Sequence, residues 1–211
     1  SLIAIGDKVQ ENTSTEVART NAARAQATLE QLVETLDPAI GFLDVPETGA
    51  VASRTHSFRV KGPADLSLKV LINGTPVAQD RVGEHALSRT RNVQITQFVA
   101  TKLRAGANTL TLIGRDGFGI ERQRTSITLV APGEPANIDI VVPKIASADP
   151  NTPIPVAIRI LDASGMVVPA SAVVTLQARN ARWDVTDIRP ETPGLQTFID
   201  NGEAIVNLIP P

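Results

Sequence analysis

From Gly41 onward, apolar and polar residues alternate in short runs punctuated by turn residues, the pattern of half-buried β-strands. His56-Ser57-Phe58-Arg59-Val60 places Phe58 and Val60 on one face with His56. Leu66 to Ile72 runs into Asn73-Gly74, a strong hairpin signal because both central residues of a type I′ turn need positive φ, and Thr75 to Ala78 returns. Asn92 to Val99 alternates again, with Val93, Ile95 and Val99 expected inward. Gly106-Ala107-Asn108 turns into Thr109 to Ile113, Asp116-Gly117 turns once more, and Ile120 to Val130 closes the set. About seven strands at this spacing make one sandwich.

A short stiff hinge follows at Pro132-Gly133-Glu134-Pro135, expected to join two domains end to end and to hold an angle. Beyond it, Ala136 to Val142 and Ile154 to Leu161 read as strands. In Asp162-Ala163-Ser164-Gly165 the Asp can bond its own backbone while Gly165 takes the φ > 0 position. Met166 to Val168 and Val173 to Ala178 continue the pattern. Gly194 to Ile199, Asn201-Gly202 and Glu203 to Ile209 read as a last hairpin. The second module therefore reads as an incomplete sandwich or as one cut inside a longer repeat array.

Only residues 14–36 carry a helical period. Thr13-Ser14-Thr15-Glu16 offers a capping box, Val17 to Leu36 recur at helical spacing, and Pro38 stops the run. Three uses stay open: packing on the neighbouring sandwich, self-association as a coiled coil, or docking on another part of a longer protein.

Composition narrows the picture. Five Phe, one Trp and no Tyr leave the cores to Val, Ile, Leu and Ala, and leave little for aromatic platforms that hold single-stranded nucleic acid; no nucleic-acid partner is expected. With no cysteine there is no disulfide framework and no thiolate chemistry, which suits a bacterial envelope protein or the cytosol better than an animal ectodomain. The net charge of -2 hides an asymmetry: by our count residues 1–50 carry -5, residues 51–131 carry +7 and residues 132–211 carry -4. In the basic middle, Arg89, Arg91, Lys102 and Arg104 are candidate contacts for an anionic glycan or lipid; solvated outer faces of strands are the alternative.

Catalytic chemistry is hard to assemble. His56 lies in a strand and His85 in a polar loop, with no nucleophile elbow beside either. Asp184, Asp187, Glu191 and Asp200 are the nearest to an acidic cluster, but their spacing matches no dedicated calcium loop. Gly114-Arg115-Asp116-Gly117-Phe118-Gly119 is a β-turn, not a nucleotide cradle. Trp183 follows a strand and either plugs the rim of the second core or meets a sugar. No cofactor and no metal are expected.

Residues 132–209 resemble the bacterial Ig-like module of invasin- and intimin-type adhesins. The residues that carry the likeness are Pro132 to Ala136, Pro155-Val156-Ala157-Ile158, Asp162 to Gly165, Val167-Val168-Pro169, Val173-Val174-Thr175-Leu176 and Asn201-Gly202-Glu203-Ala204. The first module more loosely resembles bacterial Ig-like repeats with G-x-N-x-L, here Gly106, Asn108 and Leu110. The likeness implies stacked modules at a bacterial surface and no catalytic residues. The expected architecture is thus mainly β: an N-terminal segment (1–40) with its helix, an Ig-like sandwich over 41–131 and a second over 132–211. The expected role is a structural spacer of an exported cell-envelope protein, outer-membrane-associated, periplasmic or surface-exposed. Its partners would be other domains of that protein.

Overall fold

The computed structural model describes residues 28–144, 149 and 151–211. The protein is mainly β, with β-sandwich-like architecture and one short helix among the described residues. It divides into two compact units, the first made mostly of residues up to Leu129 and the second of Val130–Pro211 with two short segments, Val51–Arg54 and Arg104–Gly106.

The helix, α1 (Leu29–Val33), starts where Thr28 turns to extended backbone, at ψ 155°. Thr28 Oγ1 accepts from Gln31 N while Gln31 Oε1 accepts from Thr28 N, a capping box that marks a beginning rather than a mid-helix turn. A continuous helix over 14–36 is therefore corrected: an extended residue at 28 breaks the ladder. The Thr13–Glu16 box and residues 14–27 lie outside the described residues.

Unit 1 contains two four-stranded antiparallel sheets. One orders β1 (Gly41–Leu43), β2 (Thr55–Gly62), β6 (Val93–Lys102) and β5 (Val82–Ser88); the other orders β4 (Thr75–Pro76), β3 (Ser67–Ile72), β7 (Gly106–Arg115) and β8 (Glu121–Ala131). Phe58, Val60 and Phe98 are buried on the face of the first sheet that meets Val70, Leu110 and Leu112 of the second. The layers meet closely: a Cβ on Gly62 would lie 3.0 Å from a Leu68 methyl. Phe58 stacks on Phe98 at 5.4 Å between ring centroids and lies 5.9 Å from Phe42, so three of the five Phe form one cluster.

Val93 and Ile95 are fully buried, but on the opposite face, where α1 covers them with Leu29, Leu32 and Val33. The start of β6 is thus enclosed on both sides, which explains why it opens with three consecutive buried residues. Val99, expected inward, is 41% exposed. The β2–β6 register shifts between His56 and Phe58, where Ala100 takes φ +49° and donates its N–H to Ser57 Oγ at 2.9 Å. Strand β5 covers a stretch without a strand signal, including His85, because a register shift after Val82 leaves only Ala86 and Ser88 of the strand buried.

Unit 2 has a four-stranded sheet ordered β12 (Arg182–Asp184), β14 (Glu203–Ile209), β10 (Ile154–Leu161) and β9 (Asn137–Val141), and a two-stranded sheet of β11 (Ala172–Leu176) and β13 (Leu195–Ile199). Val156, Ile158, Ile160, Val174, Leu176, Ile199 and Val206 make its core. Ile138 and Ile140 pair with the buried Ile160 and Ile158, yet remain 57% and 56% exposed, because the narrower two-stranded layer stops short of β9.

Two readings change here. β13 and β14 do not form a hairpin; they belong to different sheets. Gly202 sends its N–H to Ala170 O and takes Ile160 N on its carbonyl, so the Asn201-Gly202 turn carries the chain between layers. Met166 to Val168 holds one isolated bridge, Leu161 to Val167, rather than a strand.

Left-handed backbone at a residue with a Cβ is costly, and Ala100 has no side-chain oxygen to offset it. Ala100→Gly is expected to raise unfolding free energy by about 0.5–1 kcal/mol in urea denaturation. A loss of stability would show that this residue is not held at positive φ.

Candidate functional site

The candidate contacts fall into two places. Arg89 and Arg91 are exposed on the turn between β5 and β6, where Ser88 Oγ accepts from Arg91 N at 3.4 Å and Asn92 takes φ +54°. Lys102 is the last residue of β6, and Arg104 lies in the connection to β7. Ten residues of extended strand separate the pairs, about 30 Å at ~3.3 Å per residue. The structure does not bring the four together.

It brings Arg89 and Arg91 beside other connections instead. Ala64, in the loop from β2 to β3, donates its N–H to Asn92 O and to Asn92 Oδ1 at 3.2 and 3.1 Å. The buried Gln94 side chain donates to Pro63 O at 2.7 Å and also to Leu66 O, fastening that loop to β6. Pairing of Ser67 with Arg115 then places the turn from β7 to β8 at the same end.

That turn is organised by Asp116. Its Oδ1 accepts from Phe118 N and Ile120 N, both at 2.9 Å, and its Oδ2 accepts from Arg122 Nε at 2.6 Å. Desolvation opposes ionisation, but the Ile120 N–H and the Arg122 guanidinium hold the carboxyl below the usual carboxylate range. Gly119 takes φ +79° and donates its N–H to Asp116 O. The loop presents Phe118 at 91% exposure and Ile120 at 52%. As a sequence this string reads only as a turn; the signal it carries is an aromatic between two glycines, in a chain with five Phe.

The other turn residues serve structure. Asn73 and Gly74 take φ +51° and +82°, as a type I′ turn requires, and Asn73 Oδ1 accepts from Thr109 N at 3.0 Å. Asn73 Nδ2 donates to the fully buried Asn108 at 2.9 Å. Gly117 has no positive φ; Gly119 supplies it instead.

Asp162 binds the linker. Its Oδ2 accepts from Gly133 N at 2.6 Å, and its Oδ1 accepts from Ser164 N at 2.8 Å, Ser164 Oγ at 2.6 Å and Met166 N at 3.0 Å. The Ser164 hydroxyl and the Gly133 N–H hold its carboxyl far below the usual range. Gly165 takes φ +87°, and Pro132 is buried while Pro135 is exposed.

Elsewhere, Asp44, at φ +63°, forms a two-pronged ion pair with Arg59, whose side chain is only 10% exposed. His56 stacks 6.3 Å from Phe58, and its buried Nε2 has no hydrogen-bond partner. Trp183 lies within β12 rather than after a strand and packs on the second core. Among the described residues no three His, Cys, Asp or Glu side chains group to hold a metal ion. Asp187 accepts from Arg189 N and Gln196 N, and Asp200 from Ser171 Oγ.

Burial lowers the pKa of His56, against the opposing pull of Asp44. As pH falls through about 6.5, the unfolded chain therefore takes up the proton before the folded one, and stability drops. His56→Gln is expected to flatten that decline in urea titrations above and below about pH 6.5. An unchanged pH slope in the variant would contradict this assignment.

No protein-family model matches the chain, and no curated protein matches it. Among solved structures, a crystal structure of Parabacteroides merdae β-glucuronidase is similar at 11% identity and TM-score 0.25, covering 76% of this chain. A second structure of that enzyme, with glycerol in its active site, is similar at 9% identity and TM-score 0.26, covering 74% of this chain. In both cases the chain spans 20% of the enzyme's length.

Proposed function

We propose that this chain is a structural spacer segment of an exported bacterial cell-envelope or surface protein built from Ig-like repeats, acting through its fold and not through catalysis. The observation that carries this reading is the attachment of the linker to the module it enters. Asp162 captures Gly133, Ala131 is 1% exposed, and Val51 N donates to Val130 O at 2.9 Å. Arg54 also reaches Glu134 at 2.6 Å, although an ion pair so exposed adds little stability. The Pro132–Pro135 stretch is therefore built into unit 2. Such a segment gives under load only when hydrogen bonds of the module break, a property suited to a repeat in an extended surface protein.

The invasin-like spacing of residues 132–209 supports the same reading. So does the material of the modules: aliphatic cores and turns fixed by side-chain oxygens, in a chain without cysteine. Its partners would be neighbouring domains of the same envelope protein.

Antibodies against the chain, applied to fractionated and to intact cells of the bacterium that makes it, test this role. The expected result is recovery in the envelope or periplasmic fraction. A pool confined to the cytosol would overturn it.

A further inference from the structure

Three connections share one end of unit 1: the β2–β3 loop, the β5–β6 turn and the β7–β8 turn, the first two joined through Ala64 and Asn92 and the third through the Ser67–Arg115 register. Their basic groups are exposed. Arg89 and Arg91 stand on one turn, Arg115 and Arg122 flank the other, and Arg124 follows along β8. Asp37 and Lys61 lie at the same end, where Leu36 O takes Arg91 Nη2 at 3.4 Å, so six cations stand against Asp37, Asp65, Asp116 and Glu121 and the end carries a positive excess. Three of the carboxylates are engaged, Asp37 with Lys61 at 2.7 Å, Asp116 with Arg122 at 2.6 Å and Glu121 with Arg124 at 2.7 Å.

At this end, on the turn between Arg115 and Arg122, stands Phe118, 91% exposed, with Ile120 beside it. A solitary exposed apolar residue needs no explanation on an ordinary surface. Here the display is built. Asp116 takes both neighbouring backbone N–H groups, Gly119 supplies the left-handed turn, and Arg115 Nη1 donates to Gly119 O at 3.3 Å. The loop is fixed by bonds of its own, so ordering it on a ligand costs little entropy.

We propose that this end of unit 1 docks on an anionic lipid bilayer, with Phe118 and Ile120 entering the headgroup–acyl boundary and Arg89, Arg91, Arg115 and Arg122 meeting the lipid phosphates. The shape of the surface decides between lipid and protein. A stable protein interface buries roughly 800 Å² on each side around a packed apolar centre, whereas two apolar side chains projecting from a hairpin tip offer a point rather than a patch. A bilayer accepts such a point without a preformed pocket. The arginines at this end supply the second signal that interfacial binding needs, and each cation near an anionic surface adds to it. This inference is independent of the spacer role, since it concerns one end of one unit.

Co-sedimentation of the full chain with phosphatidylcholine vesicles, with and without phosphatidylglycerol, tests it. The wild-type chain is expected to sediment with the anionic vesicles and much less with the zwitterionic ones. Phe118→Ala, at a side chain outside the core, is expected to keep the wild-type circular dichroism and to lose about tenfold or more in binding. Phe118→Trp is expected to retain binding, and its emission should be quenched by bromine-labelled acyl chains beyond the Trp183 background. Absence of sedimentation with anionic vesicles at low salt would overturn the proposal. So would a Phe118→Ala chain that binds like wild type, or a tryptophan at 118 that the labelled chains do not quench.

Discussion

A carboxylate that accepts several backbone N–H groups at once holds the critical connections of this protein. Asp162 takes four donors, from Gly133, Met166, the Ser164 backbone and the Ser164 hydroxyl, and so fixes both the β10 turn and the entry to unit 2. Asp116 does the same for the β7–β8 tip, while Asn73 ties the β3–β4 turn to β7 by accepting from Thr109 N and donating to Asn108 Oδ1. Without disulfides and with few aromatics, loop geometry has to come from such side-chain acceptors. An ionised acceptor forms a stronger hydrogen bond than a neutral one, and the lowered pKa values of Asp116 and Asp162 are the same fact seen as titration.

The enclosure of β6 is the second constraint. One face of its sheet packs Phe58, Val60 and Phe98 toward the opposing sheet, while α1 covers Val93 and Ile95 on the other. Beside α1 the same face carries Arg59 and Lys61, opposite Gln97 and Ile95. There Arg59 and Lys61 bind Asp44 and Asp37, while Arg89 and Arg91 sit on the connecting turn.

What was legible in the residues was local. Asn73-Gly74 and Asp162 to Gly165 declare their turns because positive φ and side-chain capture are decided within a few residues. Mainly β architecture follows from alternation alone. What stayed hidden was non-local. Val93 and Ile95 alternate in the same way whether a sheet or a helix covers them. Asn201-Gly202 has hairpin chemistry, yet the partners of Gly202 are Ala170 and Ile160, far away in sequence. β5 escaped because its register shift interrupts the period. Of the basic residues singled out from composition, β6 sets Arg89 and Arg91 apart from Lys102 and Arg104, a separation that only strand direction reveals. The Gly114–Gly119 string reads as a turn from its residues, but how far Phe118 projects from that turn is set by which side chains surround it.

The claim that the linker belongs to unit 2 through Asp162 is tested most directly by amide hydrogen exchange at Gly133. The account predicts a protected Gly133 amide in the wild-type chain and rapid exchange in Asp162→Ala, with the unit 1 core strands unaffected. A Gly133 amide that exchanges freely in the wild-type chain would contradict it.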